Sequence, residues 1–252
     1  MISSHLRQSL AFATLLIPSA ALADSPKVLF VLDSSGSMNA QMEGKAKMEV
    51  ARKVMGSLIR SLPADVSIGL ETYGRNRKDD CNDIEMLVPI GGDRSSIEQA
   101  ISALTPKGST PLTGAIHLAT TQLREVEGNA SVVVVSDGKE TCGGDPCAAV
   151  LEAITQGVKM QVHVVGFDVT PEEAEQLQCM AKAGNGKYFA AGNADELGKA
   201  LTQVKEQVIT SPPPPPLPAA KPKHVLLEEK FERDNLGEDY NVLEPDPNRL
   251  TV

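Results

Sequence analysis

The stretch Lys27–Ser37, KVLFVLDSSGS, decides the fold. Its first part is a continuous apolar run, as expected for a strand that is buried on both faces of a parallel sheet. The strand ends at Asp33, which opens an Asp-x-Ser-x-Ser sequence with Ser35 and Ser37. Because ligands bind at the carboxyl ends of strands in open α/β sheets, these polar residues predict a binding site at that edge.

Strands and helices alternate along the chain up to residue 209. Ala130–Ser136 is a second fully apolar strand, and the apolar residues of Lys47–Leu62 recur at mostly helical spacings. The alternation predicts a doubly wound α/β domain over residues 24–209, with a mostly parallel central sheet and helices on both faces. The other predicted strands are Asp65–Gly74, Ile84–Ile90 (a short edge strand), Met160–Phe167 and Gly186–Ala191, and the other predicted helices are Ser95–Leu104, Pro111–Glu125, Pro146–Gln156, Pro171–Ala183 and Ala194–Ile209.

The first 23 residues have the pattern of a secretory signal peptide. A short basic region precedes an apolar run that is too short for a membrane span of about 20 residues, and Ala-Leu-Ala at 21–23 fits a cleavage site before Asp24. We therefore expect export to the periplasm or the cell exterior. No later stretch is apolar enough to predict a transmembrane anchor in the mature chain.

A different composition begins at residue 210. Five consecutive prolines, Pro212–Pro216, predict a stiff extended linker over residues 210–223. Residues 224–252 contain strand-like pieces but are too few to bury a core of their own. They predict either the incomplete start of a second, β-rich module or a partly disordered tail.

Composition excludes several functions. The 252 residues carry 24 Lys+Arg against 33 Asp+Glu, a formal net charge of −9, which disfavours a broad nucleic-acid surface. The absence of Trp, with only three Tyr and five Phe, disfavours a base-stacking platform.

Two further motifs join Asp33, Ser35 and Ser37 as candidate metal ligands. Thr110 lies in a Gly-containing loop just before a predicted helix, and Asp137 follows the apolar strand that ends at Ser136. All five side chains offer oxygen, so they suit a hard cation such as Mg²⁺, with Mn²⁺ or Ca²⁺ as alternatives. Three of the ligands are neutral hydroxyls, so the cation would keep enough positive character to accept a carboxylate from a partner protein.

These motifs, in this order, resemble the von Willebrand factor type A domain and its metal-ion-dependent adhesion site. The resemblance covers about residues 27–209, and all five site positions match it. It implies that the two Ser, and usually the Thr, contact the cation directly, while the two Asp often act through water. It also implies ligand contact without bond chemistry. A narrower resemblance is to exported bacterial members of the family, and it rests on Tyr73-Gly74, Asp80–Glu85, Asp137–Cys142 and Cys147.

The tail carries a second, shorter resemblance. Phe231–Asp234, with Leu236-Gly237 and Pro245–Pro247, is similar to the start of a concanavalin-like sandwich module. This resemblance concerns the β-rich tail alone.

Four cysteines lie beyond the predicted signal peptide, and an even number in an exported protein predicts two disulfides. A zinc site is the alternative, but it requires close Cys-x-x-Cys pairs that are absent here. Of the three possible connectivities, we favour Cys81–Cys142 and Cys147–Cys179. Either cross-link would restrain the loops around the predicted site.

The sequence is compatible with three functions. The first is an exported protein-binding module of the adhesion type, and the second is a structural module of a cell-envelope assembly that a metal stabilises. A metal-dependent hydrolase is the third, but Ser35 stands where a phosphatase Asp-x-Asp motif has its second Asp, and nucleophile-elbow and P-loop motifs are absent. We therefore expect no enzymatic activity. We expect His117 to lie on a helix face and His163 in a strand, rather than to act as ligands. The acidic residues outside the predicted site are expected to be solvated or capping charges, namely Glu71, Asp168, Glu172, Glu173 and Glu175.

Overall fold

The computed structural model describes residues 25–210. The predictions of a signal peptide, of a tail and of all but the first residue of the linker lie outside this range. The strands are β1 (Lys27–Asp33), β2 (Gln41–Met42), β3 (Lys45–Ala46), β4 (Ser67–Tyr73), β5 (Ile84–Val88), β6 (Ala130–Ser136), β7 (Met160–Phe167) and β8 (Tyr188–Ala191). The helices are α1 (Lys47–Ser61), α2 (Arg94–Ala103), α3 (Leu112–Arg124), α4 (Pro146–Thr155), α5 (Pro171–Ala183) and α6 (Ala194–Thr210).

The central sheet has six strands in the order β5-β4-β1-β6-β7-β8. Neighbouring strands are parallel except at the edge, where β5 runs antiparallel to β4. The chain builds one half of the sheet outward from β1 and then the other half outward from β6. The strand order therefore reverses between β1 and β6, and this is where an open α/β sheet binds its ligands.

Helices cover both faces of the sheet, which confirms the predicted fold class. One apolar cluster packs the face that carries Phe30 and Leu32 against α1, α2 and α6. The other packs the face that carries Leu29 and Val31 against α3, α4 and α5. Because both faces of β1 and β6 are covered, their sequences are continuous apolar runs rather than alternating ones.

The two ends of the described domain lie at the amino edge of the sheet. β1 begins there, and α6 returns there from the carboxyl end of β8. The Lys205 ammonium donates to the backbone carbonyl of Ser61 at 2.7 Å, so the last turns of α6 lie beside the end of α1. The carboxyl edge, which carries the candidate site, is at the opposite pole.

The main elements agree with the sequence prediction to within two residues at each end. Two short elements were not predicted, the 3-10 helix Gly36–Asn39 and the hairpin of β2 and β3. Both are too short to show a hydrophobic period, although Met38 and Met42 are buried. Within residues 25–210, no helix has the length and apolar character that a membrane crossing requires.

Candidate metal centre

Asp33 occupies the carboxyl end of β1, and three donors are directed at its carboxylate. Its Oδ2 accepts hydrogen bonds from the hydroxyls of Tyr73 at 2.9 Å and Ser136 at 2.6 Å. Its Oδ1 accepts the backbone N–H of Ser35 at 2.7 Å. Burial, and then the charge of Asp33, raise the pKa of Tyr73 well above its ordinary value, so this hydroxyl remains a donor. Neither Tyr73 nor Ser136 is among the five residues predicted for the site.

A continuous row of oxygen atoms links three of the candidate ligands. The hydroxyls of Ser35 and Ser37 are 2.9 Å apart, and the Ser37 hydroxyl donates to Asp137 Oδ1 at 2.6 Å. The 3-10 turn that begins at Gly36 directs Ser37 towards the end of β6. Ser35 and Asp137 are buried whereas Ser37 is exposed, so the row opens to solvent at Ser37.

Thr110 lies in the adjacent loop and is buried. Its N–H donates to the Thr141 hydroxyl at 2.8 Å, and its carbonyl accepts the Thr141 N–H at 3.1 Å. The Gly36 N–H donates to the Gly108 carbonyl at 2.9 Å, which joins the Thr110 loop to the Ser35 loop. The structure thus links four of the five candidates by hydrogen bonds. Among the described residues, the Thr110 hydroxyl makes no hydrogen bond to the other four.

Gly74 allows a third loop to pack closely behind the site. It has a φ of +69°, and a Cβ there would lie 2.6 Å from the Ser109 carbonyl oxygen. Its own carbonyl accepts the N–H of Gly108 at 2.7 Å. A side chain at this position would therefore displace the Thr110 loop.

Lys47, which sequence reasoning missed, lies beside the candidate ligands. Its ammonium is 3.2 Å from Asp137 Oδ2 and 3.0 Å from Asp168 Oδ2. The Lys47 side chain is 8% exposed and that of Asp137 is fully buried, while Asp168 is half exposed. Asp168 was expected to be only a solvated or capping charge, and this expectation is wrong because its carboxylate forms an ion pair with Lys47. No local pattern could have selected Lys47, because its partners follow it by 90 and 121 residues.

The electrostatics of the site favour a cation. Burial, and then the negative charge of Asp33, raise the pKa of Asp137 to about 6, while hydrogen bonds and charge from Ser37 and Lys47 act in the opposite direction. Two carboxylates are therefore gathered in a poorly hydrated place, where a divalent cation would relieve their repulsion.

The donor set is chemically suited to Mg²⁺. It consists of two carboxylates and three hydroxyls, with no nitrogen or sulfur ligand. No group of three or more His, Cys, Asp and Glu side chains within residues 25–210 could hold a metal. A metal bound at this edge would therefore have hydroxyl oxygens as most of its protein ligands.

Two disulfides brace this side of the domain, with the favoured pairing. Cys81–Cys142 joins the loop after β4 to the loop after β6, and Cys147–Cys179 joins α4 to α5. All four cysteines are paired, so the zinc alternative does not apply.

Two acidic residues organise the loops that the first disulfide joins. Glu140 accepts the N–H of Thr113 at 2.7 Å and that of Cys142 at 2.6 Å, which ties this loop to the start of α3. Asp83 accepts the N–H groups of Asn76 and Arg77 at 2.7 and 2.9 Å. Burial tends to raise the pKa of Asp83, but these hydrogen bonds outweigh it and lower the pKa.

The two histidines considered from sequence lie away from the candidate ligands. His117 is exposed on α3. His163 is buried in β7, where its Nδ1 accepts the Lys187 N–H at 3.2 Å, and burial lowers its pKa to about 4. Both positions agree with the structural roles expected of them.

Glu173 caps α5, as expected for one of the acidic residues near its start. Its side chain accepts the Thr170 N–H at 2.8 Å, and the Thr170 hydroxyl accepts the Glu173 N–H in return. Glu71 contradicts the expectation of a solvated or capping charge, because it is fully buried in β4. The helices on both faces of the sheet leave β4 no solvent-exposed side.

Sheet order and site together define an α/β domain with a polar binding edge at its topological switch point. Residues 28–140 match the von Willebrand factor type A domain family. The uncharacterized protein YwmC of Bacillus subtilis is 31% identical over 186 residues, which cover 70% of this chain and 81% of YwmC. The chain belongs to the von Willebrand factor type A domain family.

Solved structures share the fold. The von Willebrand factor domain of the type V pili tip protein Mfa5 from Porphyromonas gingivalis superposes with a TM-score of 0.57 at 14% identity, covering 72% of this chain and 94% of that one. The pilus adhesin SpaC from Lactobacillus rhamnosus GG gives 0.58 at 13% identity, covering 73% of this chain and 30% of SpaC. At these identities the likeness concerns the fold alone.

Proposed function

We propose that this protein is an exported, metal-dependent protein-binding module of the adhesion type, without enzymatic activity. The observation that carries the proposal is the row of oxygen atoms formed by Ser35, Ser37 and Asp137, with Asp33 fixed beside it. A divalent cation, Mg²⁺ first and Mn²⁺ or Ca²⁺ as alternatives, suits this set of oxygen donors.

Each candidate ligand has a role in this proposal. Ser35, Ser37 and Thr110 would hold the cation through neutral hydroxyls, and Asp33 and Asp137 would supply negative charge. When bound, the cation supplies a Lewis-acidic position for an anionic ligand. Ser37 is the exposed member of the row, so this is where a partner would approach.

The partner would present an Asp or Glu carboxylate. A protein with a net charge of −9 repels acidic partners at long range, so a local positive centre is needed to bind one. Exposed lysines lie on the loops around the site and would add to that local charge, namely Lys78, Lys107 and Lys139.

One structural neighbour is named a pilus adhesin and another belongs to a pilus tip protein, and these names support the proposal. Export agrees with the two disulfides, which form and persist in oxidising compartments. The competing function is a structural module in which the cation stabilises the fold and no partner binds to it.

The variant Ser37→Ala tests the proposal with little risk to folding, because Ser37 is exposed and the change removes one hydroxyl. Calorimetric titration should show Mg²⁺ binding to the wild type and a loss of affinity of at least tenfold in the variant. The matched control is Ser57→Ala, an exposed serine near the opposite end of α1, which should bind Mg²⁺ like the wild type.

Partner capture separates adhesion from a structural role. When cell-surface extract is passed over the immobilised protein in the presence of Mg²⁺, a partner should be captured. Chelator should abolish this capture, and so should the substitution Ser37→Ala. Equal capture in chelator would contradict the adhesion proposal. A Mg²⁺-dependent rise in melting temperature without any Mg²⁺-dependent capture would favour the structural module.

A further inference from the structure

Lys47 is a buried cation built into the wall of the candidate metal centre. It is the first residue of α1, and its ammonium contacts Asp137 Oδ2 at 3.2 Å, Asp168 Oδ2 at 3.0 Å and the Asp168 carbonyl at 3.3 Å. An ammonium has three donor hydrogens, so these three oxygens satisfy it completely. Burial of a lysine is costly unless it is paired, so this contact set is a specific arrangement.

Asp168 adopts an unusual backbone conformation to make this contact. It directly follows β7 with a φ of +55°, a region that residues other than glycine rarely occupy. Its N–H donates to the Ala191 carbonyl at 2.7 Å, which holds the turn in place. In this conformation both its carbonyl and its carboxylate reach Lys47, so Asp168 anchors the ammonium beside Asp137.

The two oxygens of Asp137 have different partners. Oδ1 accepts the hydroxyl of Ser37, a candidate metal ligand, whereas Oδ2 contacts Lys47. The ammonium therefore lies against the second oxygen of the carboxylate and leaves the row of hydroxyls open. Its positive charge acts on the centre without occupying it.

We propose that Lys47 is a specificity-determining residue that weakens cation binding in the free protein and strengthens binding of the partner's carboxylate. The inference rests on the proposed function. The two ligand carboxylates and a divalent cation balance each other, so the ammonium adds positive charge, which the half-exposed Asp168 carboxylate offsets only in part. A partner carboxylate neutralises the positive charge that remains, and without the ammonium no such excess is left.

The charge argument predicts effects of opposite sign in Lys47→Met. Mg²⁺ affinity measured by calorimetry should rise roughly tenfold, because a nearby like charge is removed. Carboxylate affinity should fall roughly tenfold. The carboxylate affinity can be measured with acetate, because Mn²⁺ bound to the protein speeds the relaxation of the methyl protons of acetate that binds beside it. A purely structural role for Lys47 would lower both affinities together.

Two further variants serve as controls. Lys45→Met removes the same charge two residues away, where the side chain is 56% exposed, and should leave both affinities within about twofold of wild type. Lys47→Arg keeps the charge, so its affinities for Mg²⁺ and for acetate should be closer to the wild-type values than those of Lys47→Met.

Asp168→Asn tests the proposal even if Lys47→Met fails to fold in chelator, as judged by circular dichroism. It removes the anionic anchor and keeps the ammonium, so Mg²⁺ affinity should fall. An unchanged or higher Mg²⁺ affinity in Asp168→Asn, or a lower one in folded Lys47→Met, would overturn the role of Lys47 while leaving the proposed function intact. Failure of the wild type to bind Mg²⁺ or Mn²⁺ would instead contradict the proposed function itself.

Discussion

Two buried acids on neighbouring strands have opposite surroundings. Asp33 ends β1 and accepts hydrogen bonds from Tyr73, Ser136 and Ser35. Glu71 lies two residues before Tyr73 on β4, paired in register with Val31, and neither of its carboxyl oxygens has a hydrogen-bond partner among the described residues. Three donors therefore contact the acid at the edge of the sheet, whereas the acid inside the sheet is paired in register with the apolar residues Val31 and Met86.

The difference separates a candidate metal ligand from an isolated buried acid. Three donors aimed at one carboxylate fix its position, which is what a site for a charged ligand requires. Burial alone raises the pKa of Glu71 well above its ordinary value, so this residue keeps its proton and avoids an isolated charge. A buried acid is therefore a candidate ligand when its donors are in place, and a local destabilising group when they are absent.

Replacement of Asp33 should have the largest effect. Asp33→Ala leaves the N–H of Ser35 without its acceptor and leaves the hydroxyls of Tyr73 and Ser136 only their longer bonds, to Ser136 Oγ at 3.0 Å and to the Gly138 carbonyl at 3.1 Å. We expect a loss of roughly 3–5 kcal/mol in the free energy of unfolding. Urea denaturation in chelator measures this loss separately from any loss of metal. Asp65→Ala, at an exposed position before β4, is the control. A fully stable Asp33→Ala variant would show that these donors find other partners.

Opening the Cys81–Cys142 disulfide should have the next largest effect. The double variant Cys81→Ser, Cys142→Ser should lose about 2–4 kcal/mol, because a cross-link spanning 61 residues no longer restrains the unfolded chain. Mg²⁺ affinity should fall as well, since the released loop holds Thr110 through Thr141.

The second disulfide is the control for that experiment. Cys147→Ser, Cys179→Ser should lose a comparable amount of stability, since its cross-link spans 32 residues, but it should keep its Mg²⁺ affinity. If both pairs alter metal binding equally, the first disulfide has no special role at the carboxyl edge.

Replacement of Glu71 should have the smallest effect, and one of opposite sign. Glu71→Met fills the same space without an unpaired polar group, so we expect a gain of about 1–3 kcal/mol at pH 8. Glu49→Met, at an exposed position on α1, should change stability by less than about 0.5 kcal/mol.

The pH dependence gives the sign of the Glu71 effect independently. Folding raises the pKa of Glu71. The stabilisation that comes from this raised pKa is fully present below the unfolded pKa of about 4.3, and it is lost as the pH rises through the folded pKa. The stability difference between Glu71→Met and wild type should therefore grow from pH 4 to pH 8. A constant difference would contradict the raised pKa.

Local patterns were sufficient to predict the fold. The apolar runs that end at Asp33 and Ser136 predicted two adjacent buried strands, and the structure pairs β1 with β6 in parallel register. The order of motifs along the chain brought Ser35, Ser37 and Thr110 into the same prediction. Each of these motifs directly follows a strand or precedes a helix, so each can be recognised from its immediate neighbours in the sequence.

What the sequence could not predict depends on contacts between distant segments. Lys47 has the pattern of a solvated lysine at the start of a helix until Asp137 and Asp168 are placed beside it. Glu71 was expected to be a solvated or capping charge, but it is buried because helices cover both faces of the sheet. Tyr73 and Ser136 are ordinary strand residues until the register aligns their hydroxyls with Asp33.

The position of the two ends of the described domain has a mechanical consequence. Residue 27 and residue 210 lie at the amino edge of the sheet, opposite the row of hydroxyls at Ser35 and Ser37. Tension between a bound partner and either end would run along the length of the parallel strands. β1 lies between β4 and β6, so pulling on it would load two ladders of backbone hydrogen bonds in shear, and many bonds would resist together. A domain built in this way resists a load along β1 through its central strands.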